Sequence, residues 1–486
     1  MKNLKKILLL ILVTSLFNRC TDHVDYEAIE GYQITSEIYF QQEADYDAAL
    51  VGTYDVLQWL FFNIQLGAIA SEITLCGGES ATDYIGIQQI DDMTHYPENN
   101  VLRQIWQFLY EGINRANYME ENKANIDFEG KEAMYGEVYF LRAYYYFELV
   151  KFFGDVPLFT EARLTAGQAG TLTRTPKDEV YAQIELDLQN AIASLPNSQS
   201  QVGRVNKYTA YALLGKVLLY QDKFAEAASA LDNVIGVYSL VSDYGSQFLR
   251  FGENGPESVF EIQYSNQSNW YDWGCAHCSE GNYAIIMNGP RGWSGPEYAQ
   301  GWSFNVPTEE FYNSFEEGDS RRDATVLDIE AFAAATGASY TEGYDHTGYF
   351  NNKYIPRAGE SGGQTELNYL TNFRIIRYSD VLLMAAEAYN RGGIDDGLAQ
   401  EFLNQVRRRA FGGDDNDISA SGSALTDAIW EERKFELSLE GHRFFDLVRT
   451  GRALSLIAGF VEGKHEVFPI PQQEVDISGL TQNAGY

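Results

Sequence analysis

The chain has 486 residues, with 69 acidic against 35 basic side chains and a formal net charge of −34. A field of that sign repels nucleic acid and anionic lipid headgroups, and no run of basic residues offsets it, which excludes nucleic acid as a partner. The length admits roughly two or three domains and a large buried core.

The first twenty residues read as a secretory leader: Lys2, Lys5 and Lys6, then apolar Ile7 to Val13, a run too short to span a bilayer. Cys20 stands where a lipidated cysteine follows such a leader. The flank Phe17-Asn18-Arg19 lacks the small residues a lipoprotein signal peptidase prefers, and cleavage to a soluble exported protein is the alternative. The acidic stretch with Asp22, Asp25, Glu27 and Glu30 suits a tether. No later segment reads as transmembrane, so attachment to a membrane is expected through lipid.

Beyond the leader most of the chain reads helical. Val101 to Glu121 carries an amphipathic pattern through Leu102, Ile105, Trp106, Leu109 and Ile113. Lys131 to Phe153 reads as a long aromatic-rich helix, ended by Gly154-Asp155-Val156-Pro157. Thr175 as N-cap and Pro176 at the first helical position start another, which runs to Leu195 before Pro196. Leu214, Gly215 and Leu218, then Phe224, Ala227, Leu231 and Val234, have the spacing of a tetratricopeptide repeat, where small residues let paired helices approach closely. A looser copy spans Tyr378 to Arg409, with Ala385, Ala386, Tyr389 and Gly393 leading into Phe402, Leu403 and Val406. The expected fold is mainly α: a tetratricopeptide-like scaffold of helical hairpins over about 30–238 and 372–460, interrupted by a loop-rich insertion over about 239–371.

The insertion is glycine-rich and loses the helical period except near Thr308 to Phe315, while Val259 to Tyr264 alternates like a strand. Loops of that length inside a compact protein are usually functional or disordered, and this one is too aromatic for disorder. It holds Trp270, Trp273, Trp293 and Trp302, with Tyr271, Tyr283, Tyr298 and Phe304. Flat rings on loops suit sugars, whose apolar faces stack on them while hydroxyls pair with polar neighbours. The competing reading is a small satellite core under the loops. A second loop, Cys76 to Asn99, offers Tyr84 and Tyr96, with His95, Asp83, Asp91 and Asp92, and completes such a surface if the fold brings the two together. The candidate ligand-binding residues are therefore Trp270, Tyr271, Trp273, Trp293, Tyr298, Trp302, Tyr84 and Tyr96.

Catalytic motifs are scarce: there is no Gly-x-Ser-x-Gly elbow, His-Glu-x-x-His or phosphate loop, and we assign no catalytic residue. Asp414-Asp415-Asn416-Asp417 lacks the glycine and terminal glutamate of a calcium loop and reads as a solvated acidic turn. Cys275-Ala276-His277-Cys278 invites a zinc reading, but a structural zinc wants four ligands and no second pair exists. A disulfide or free thiols is preferred there, and no metal or cofactor is expected. In Glu431 to Arg449, Glu432, Glu436 and Glu440 recur every four residues as on one helix face, with Arg433 and Arg443 in reach. Acids and bases nearly balance, which favours a structural ion-pair network over a catalytic site, and His442 reads as a packing residue.

That stretch resembles the C-terminal motif of the SusD/RagB family through Glu432-Arg433, Glu436-Leu437, Glu440-Gly441, Arg443-Phe444 and Asp446-Leu447-Val448-Arg449. Also similar are Leu141-Arg142-Ala143, Gly154-Asp155-Val156-Pro157-Leu158, Arg377 to Leu383, Asn404 to Arg407, Phe468-Pro469-Ile470-Pro471 and the closing Gln482 to Tyr486. The resemblance runs from about residue 30 to the end. It implies a single SusD-like domain over 21–486 after a leader at 1–20, in a surface lipoprotein lipid-anchored to the outer membrane. It also implies a partner, a SusC-like TonB-dependent transporter, to which captured oligosaccharides or polysaccharides are delivered without catalysis. Peptides are an alternative ligand for the same lid role, and a surface glycoside hydrolase is the alternative of a different class.

Overall fold

The computed structural model describes residues 39–267, 273–361 and 367–486. The leader and Cys20 lie outside the described residues. The fold is mainly α. Helices Asn100–Glu121, Lys131–Phe153, Lys177–Ser194, Lys207–Leu219, Phe224–Asp232, Tyr378–Arg391, Asp396–Phe411 and Gly422–Leu437 follow one another in single file, each packed on the next. This is the stacked-hairpin scaffold expected from the repeat spacing.

Local chemistry explains its elements. Asn99 caps the Asn100–Glu121 helix, its side chain accepting from the backbone N–H groups of Val101 and Leu102. Lys131–Phe153 is buried on nearly all faces, wedged between the helices on either side and Glu43–Asp55. Its polar groups are matched: Arg142 pairs with Asp187 at 2.8 Å, and the Tyr145 hydroxyl donates to the Thr53 carbonyl at 2.6 Å. Gly215 faces Leu231 so closely that a Cβ there would lie 2.5 Å from the Leu231 side chain, which is why a small residue occupies that crossing.

The start of Lys177–Ser194 differs from expectation. Pro176 is itself the capping residue, and Thr175 is held outside in an antiparallel bridge with Val156. Asp155 supplies the cap instead, its Oδ1 accepting from Lys177 N at 2.8 Å. The insertion also holds more regular structure than its texture suggests. Ile329–Thr336 is helical, capped by Asp328, and short strand pairs form between Arg291–Ser294 and Ser339–Thr341 and between Val326–Asp328 and Tyr349–Asn351. The expected helix near Thr308 is Glu309–Asn313, with the Thr308 hydroxyl accepting from Phe311 N.

The ends of the insertion are tied together. Ser258–Ile262 pairs antiparallel with Phe373–Arg377, from Ser258 opposite Arg377 to Ile262 opposite Phe373. Val259, Phe260, Glu261 and Ile262 are all buried, so the expected one-sided alternation fails. Phe260 packs edge-on to Phe140, while Glu261 accepts from Asn372 at 3.1 Å.

The charged C-terminal stretch is an internal ion cluster. Its helix ends at Leu437, and Glu440 sits in the following turn, past Leu439 at φ 65°. The three glutamates therefore do not share one helix face, yet they converge. Glu436 accepts from Arg377 at 2.8 Å, Arg409 at 2.6 Å and Arg321 at 3.1 Å. Glu440 accepts from Arg377 at 2.7 Å and Lys353 at 2.7 Å, and Glu432 from Arg321 and Arg407. Arg433 and Arg443 turn elsewhere, to Asp380 with Asp446 and to Glu72. Burial alone would raise the Glu436 carboxyl, but Arg409, Arg377 and Arg321 outweigh it and hold it well below the usual range. Burial pushes the Lys353 ammonium down to about 8.

Two outcomes follow for stability. Arg377→Met leaves Glu436 and Glu440 short of a buried partner and is expected to cost about 3–5 kcal/mol in chemical denaturation. The second concerns His95, which is fully buried, bonded through Nε2 to the Tyr486 hydroxyl at 2.8 Å. Burial, with help from His465 and Lys464, holds it down to about 3. Between that value and the ordinary ~6.5 the unfolded chain binds the proton and the folded one does not, so stability falls as pH drops below ~6.5. His95→Phe removes this term while leaving the opposite contribution of Asp91, pushed up to about 7 by burial, in place. The stability of the wild type relative to His95→Phe is expected to decline by up to about 1.4 kcal/mol per pH unit from pH 6.5 to 4 in thermal melts. A pH-independent difference contradicts this.

Candidate functional site

The two aromatic loops meet. Thr74–Gly77 pairs antiparallel with Phe304–Pro307, Gly77 opposite Phe304, which sets the Cys76–Asn99 loop beside the insertion. Gly77 has φ 72°, and a Cβ there would strike the Ser303 carbonyl at 2.2 Å, so the approach requires glycine. Arg291 clamps the junction. Its guanidinium reaches Asp83 at 2.9 Å and Glu79 at 3.5 Å from one loop and donates Nε to the Trp302 carbonyl of the other at 3.0 Å.

Across this junction Tyr84, Tyr283 and Trp302 form a shelf of rings. Tyr84 and Trp302 are half-buried, and Tyr283, itself buried, lies between them, edge-on to Trp302 at 5.8 Å and hydrogen-bonded to Tyr84. The backbone places them: Trp302 N donates to the Ile286 carbonyl, on the short helix Ala284–Met287 that follows Tyr283. Tyr84 has φ 48°, a left-handed backbone uncommon for a tyrosine, at the entry to the helix Ile85–Asp91. From beneath, Phe62 and Phe304 support Tyr84, and Phe61 supports Tyr283. Burial pushes the Tyr84 hydroxyl up to about 12 and that of Tyr283 well above its ordinary value, so both stay neutral; Tyr283 donates to Tyr84, and the Tyr84 hydroxyl keeps its own proton to donate. Rings backed by apolar packing and rimmed by Asp83, Glu79 and Arg291 can stack a flat, hydroxylated ligand and hydrogen-bond its edge.

The other candidates fall in different places. Trp293 is 9% exposed and Tyr298 5%; they pack on one another and on Phe332 in a satellite core with Val306, Leu327, Ile329, Phe350 and Ile355. Tyr96 is 46% exposed but lies past the far end of Ile85–Asp91, where Pro97 accepts from Gln472 of the C-terminal segment. Trp270 and Tyr271 lie outside the described residues. Trp273 opens the segment Trp273–Cys278, 3₁₀-like but kinked at Cys275 and closed by a Cys275–Cys278 disulfide, which meets the preferred reading of that pair; Cys76 is buried and free. Asp414 and Asp415 are exposed, and Asp417 pairs with Arg408, as suits a solvated acidic turn.

Residues that the sequence did not single out complete the picture. Arg291 has no local signal, since its partner Asp83 is 208 residues away. Trp59 lies against Phe108 and His277, with the Arg115 guanidinium over its ring. A cleft of about 520 Å³ opens nearby, lined by Tyr54, Asp55, Gln58, Arg204, Gln263 and Glu280 among others.

The SusD family model matches residues 256–466, and a model described as starch-binding associating with outer membrane matches residues 71–219. SusD-like protein P2 of Formosa agariphila is 30% identical over 446 residues, 86% of this chain and 85% of the relative. Among solved structures, a laminarin binding SusD-like protein superimposes with a TM-score of 0.84 at 37% identity, covering 92% of this chain and all of the other. Surface glycan-binding protein A from Bacteroides thetaiotaomicron, in complex with laminarihexaose, superimposes with a TM-score of 0.82 at 29% identity, covering 91% and 99%. With two family models on separate parts of the chain, and similarity along most of its length, the chain belongs to the SusD family.

Proposed function

We propose that this protein binds glycans at the cell surface and hands them to a SusC-like TonB-dependent transporter, without cleaving them. The observation that carries the reading is the Tyr84–Tyr283–Trp302 shelf, built by two loops that Arg291 clamps together across the 208 residues separating it from Asp83. Support comes from solved relatives described as laminarin binding and as complexed with laminarihexaose, which makes laminarin the first glycan to test. Within the original set of candidates, Tyr84 and Trp302 are proposed as direct contacts and Trp293 and Tyr298 as bracing beneath the loops. Trp270, Tyr271 and Trp273 remain proposed contacts on sequence grounds, and Tyr96 is proposed to lie outside the contact surface.

The test is calorimetric titration of laminarihexaose, with affinity electrophoresis on laminarin and other neutral polysaccharides. Trp302→Ala and Tyr84→Ala are each expected to weaken binding about tenfold or more, as for a central aromatic anchor. Tyr96→Ala is expected to leave affinity unchanged. Wild-type affinity in both shelf variants removes the shelf from the site, and release of shorter sugars on incubation replaces binding with hydrolysis.

Cys20 is proposed as the lipid-bearing residue that holds the protein on the outer membrane. Cys20→Ala is expected to abolish incorporation of labelled fatty acid and move the protein from the membrane fraction to the medium. Persistent labelling places the acyl chain elsewhere.

A further inference from the structure

The Cys275–Cys278 disulfide joins two cysteines three positions apart. A ring that short restrains the unfolded chain little, so entropy gives it a small structural role. Its surroundings favour exchange instead. Cys278 is exposed and Cys275 half-buried. His277 stands beside Cys275, with Nε2 at 3.4 Å and Nδ1 at 3.9 Å from Sγ. The imidazole is held there by the scaffold, 5.0 Å from the Trp59 ring and 5.3 Å from Phe108. An imidazole fixed against a sulfur stabilises the thiolate, makes it a better leaving group and makes the disulfide more oxidising. Cys76 is the contrast: it is buried, burial pushes its thiol far up, and it is inert to exchange.

We propose that Cys275–Cys278 is a redox-labile disulfide that exchanges with dithiols, with His277 as the residue that positions and stabilises the departing Cys275 sulfur. The thiolate of a dithiol attacks the exposed Cys278 Sγ. A mixed disulfide forms, the Sγ–Sγ bond breaks, and its electron pair leaves on Cys275 as a thiolate beside His277. The second thiol of the reductant then attacks its own bound sulfur and releases Cys278. In total the protein disulfide gains two electrons and the dithiol becomes a disulfide; of the dithiol's two protons one goes to Cys278 and the other to solvent, leaving Cys275 as the thiolate beside His277. The partner chemistry is that of a vicinal or near-vicinal dithiol, and the exchange stands whether or not the ring shelf binds glycan.

The experiment titrates the full-length native chain with defined mixtures of reduced and oxidised dithiothreitol at pH 7, quenches with iodoacetamide and reads alkylation by peptide mass. Cys275 and Cys278 are expected to be labelled together without denaturant while Cys76 stays unlabelled, which also reports that the fold is intact. His277→Phe keeps a ring against Trp59 and Phe108 but cannot stabilise a thiolate. It is expected to need more reduced over oxidised dithiothreitol at half-reduction, by up to about tenfold for each unit by which the Cys275 thiol pKa rises below the working pH. His277→Gln moves the same way, and is the variant to read if Cys76 labelling shows that His277→Phe has not folded. A wild-type disulfide that resists reduction until denaturant is added overturns the proposal, as does a wild-type midpoint in the folded histidine variants.

Discussion

A single carboxylate, Glu436, sits where three separately encoded parts of the chain meet. Its neutralising partners are Arg321 from the insertion, Arg377 from the strand that closes the insertion, and Arg409 from the second repeat hairpin. A buried carboxylate without partners is intolerable, and each of these guanidinia is itself buried and needs an anion. Glu257, Asp319, Glu432 and Glu440 supply the remaining anions. The cluster can therefore be satisfied only when insertion, closing strand and repeat are all in place. Apolar packing supplies much of the driving force here, as in other domains, but it is indifferent to small slips. Charge matching of this density fixes one arrangement.

That arrangement reaches the ring shelf through a short path of buried polar groups. Lys353 is bonded to Glu440 and to the carbonyls of Glu436 and Ser438. The next residue, Tyr354, accepts from Asn288 Nδ2 through its carbonyl. Asn288 Oδ1 in turn accepts from Gln65 of the scaffold and Asn305 of the strand beyond Trp302. Asn288 directly follows the helix that Tyr283 precedes and whose Ile286 carbonyl accepts from Trp302 N. The shelf thus rests on loops whose backbones are bonded to the rigid part of the molecule, which favours ring faces held in place before any ligand arrives.

Legibility in the sequence followed the range of the interactions involved. Lys131–Phe153 and the Gly215 crossing were readable because periodicity and residue size are local properties. Thr175 has the side chain of a cap, but its bridge to Val156, 19 residues back, outcompetes the local preference. Glu440 keeps the four-residue spacing of a helix face, and that spacing does not announce the turn at Leu439. The insertion's aromatic content does not separate its rings: Trp293 and Trp302 are nine residues apart and look alike, yet one braces a satellite core and the other joins the shelf. That division is made by partners such as Phe332 and Tyr283, whose proximity depends on the strand pairing. Arg291 was invisible for the same reason.

The antiparallel pair Ser258–Ile262 with Phe373–Arg377 also bears on how such a surface can change. Because the scaffold already holds the two ends of the insertion side by side, the chain between them is a closed loop whose ends need not find each other. For a flexible loop so closed, doubling its length costs only about 0.6 kcal/mol in closure entropy. Residues can be added to or removed from the insertion's outer loops at little expense to the fold, as long as Arg321, Lys353 and Arg377 keep their anions. The molecule is in this sense a fixed socket with a replaceable head, and new ligand preferences can arise by loop replacement without renegotiating the core.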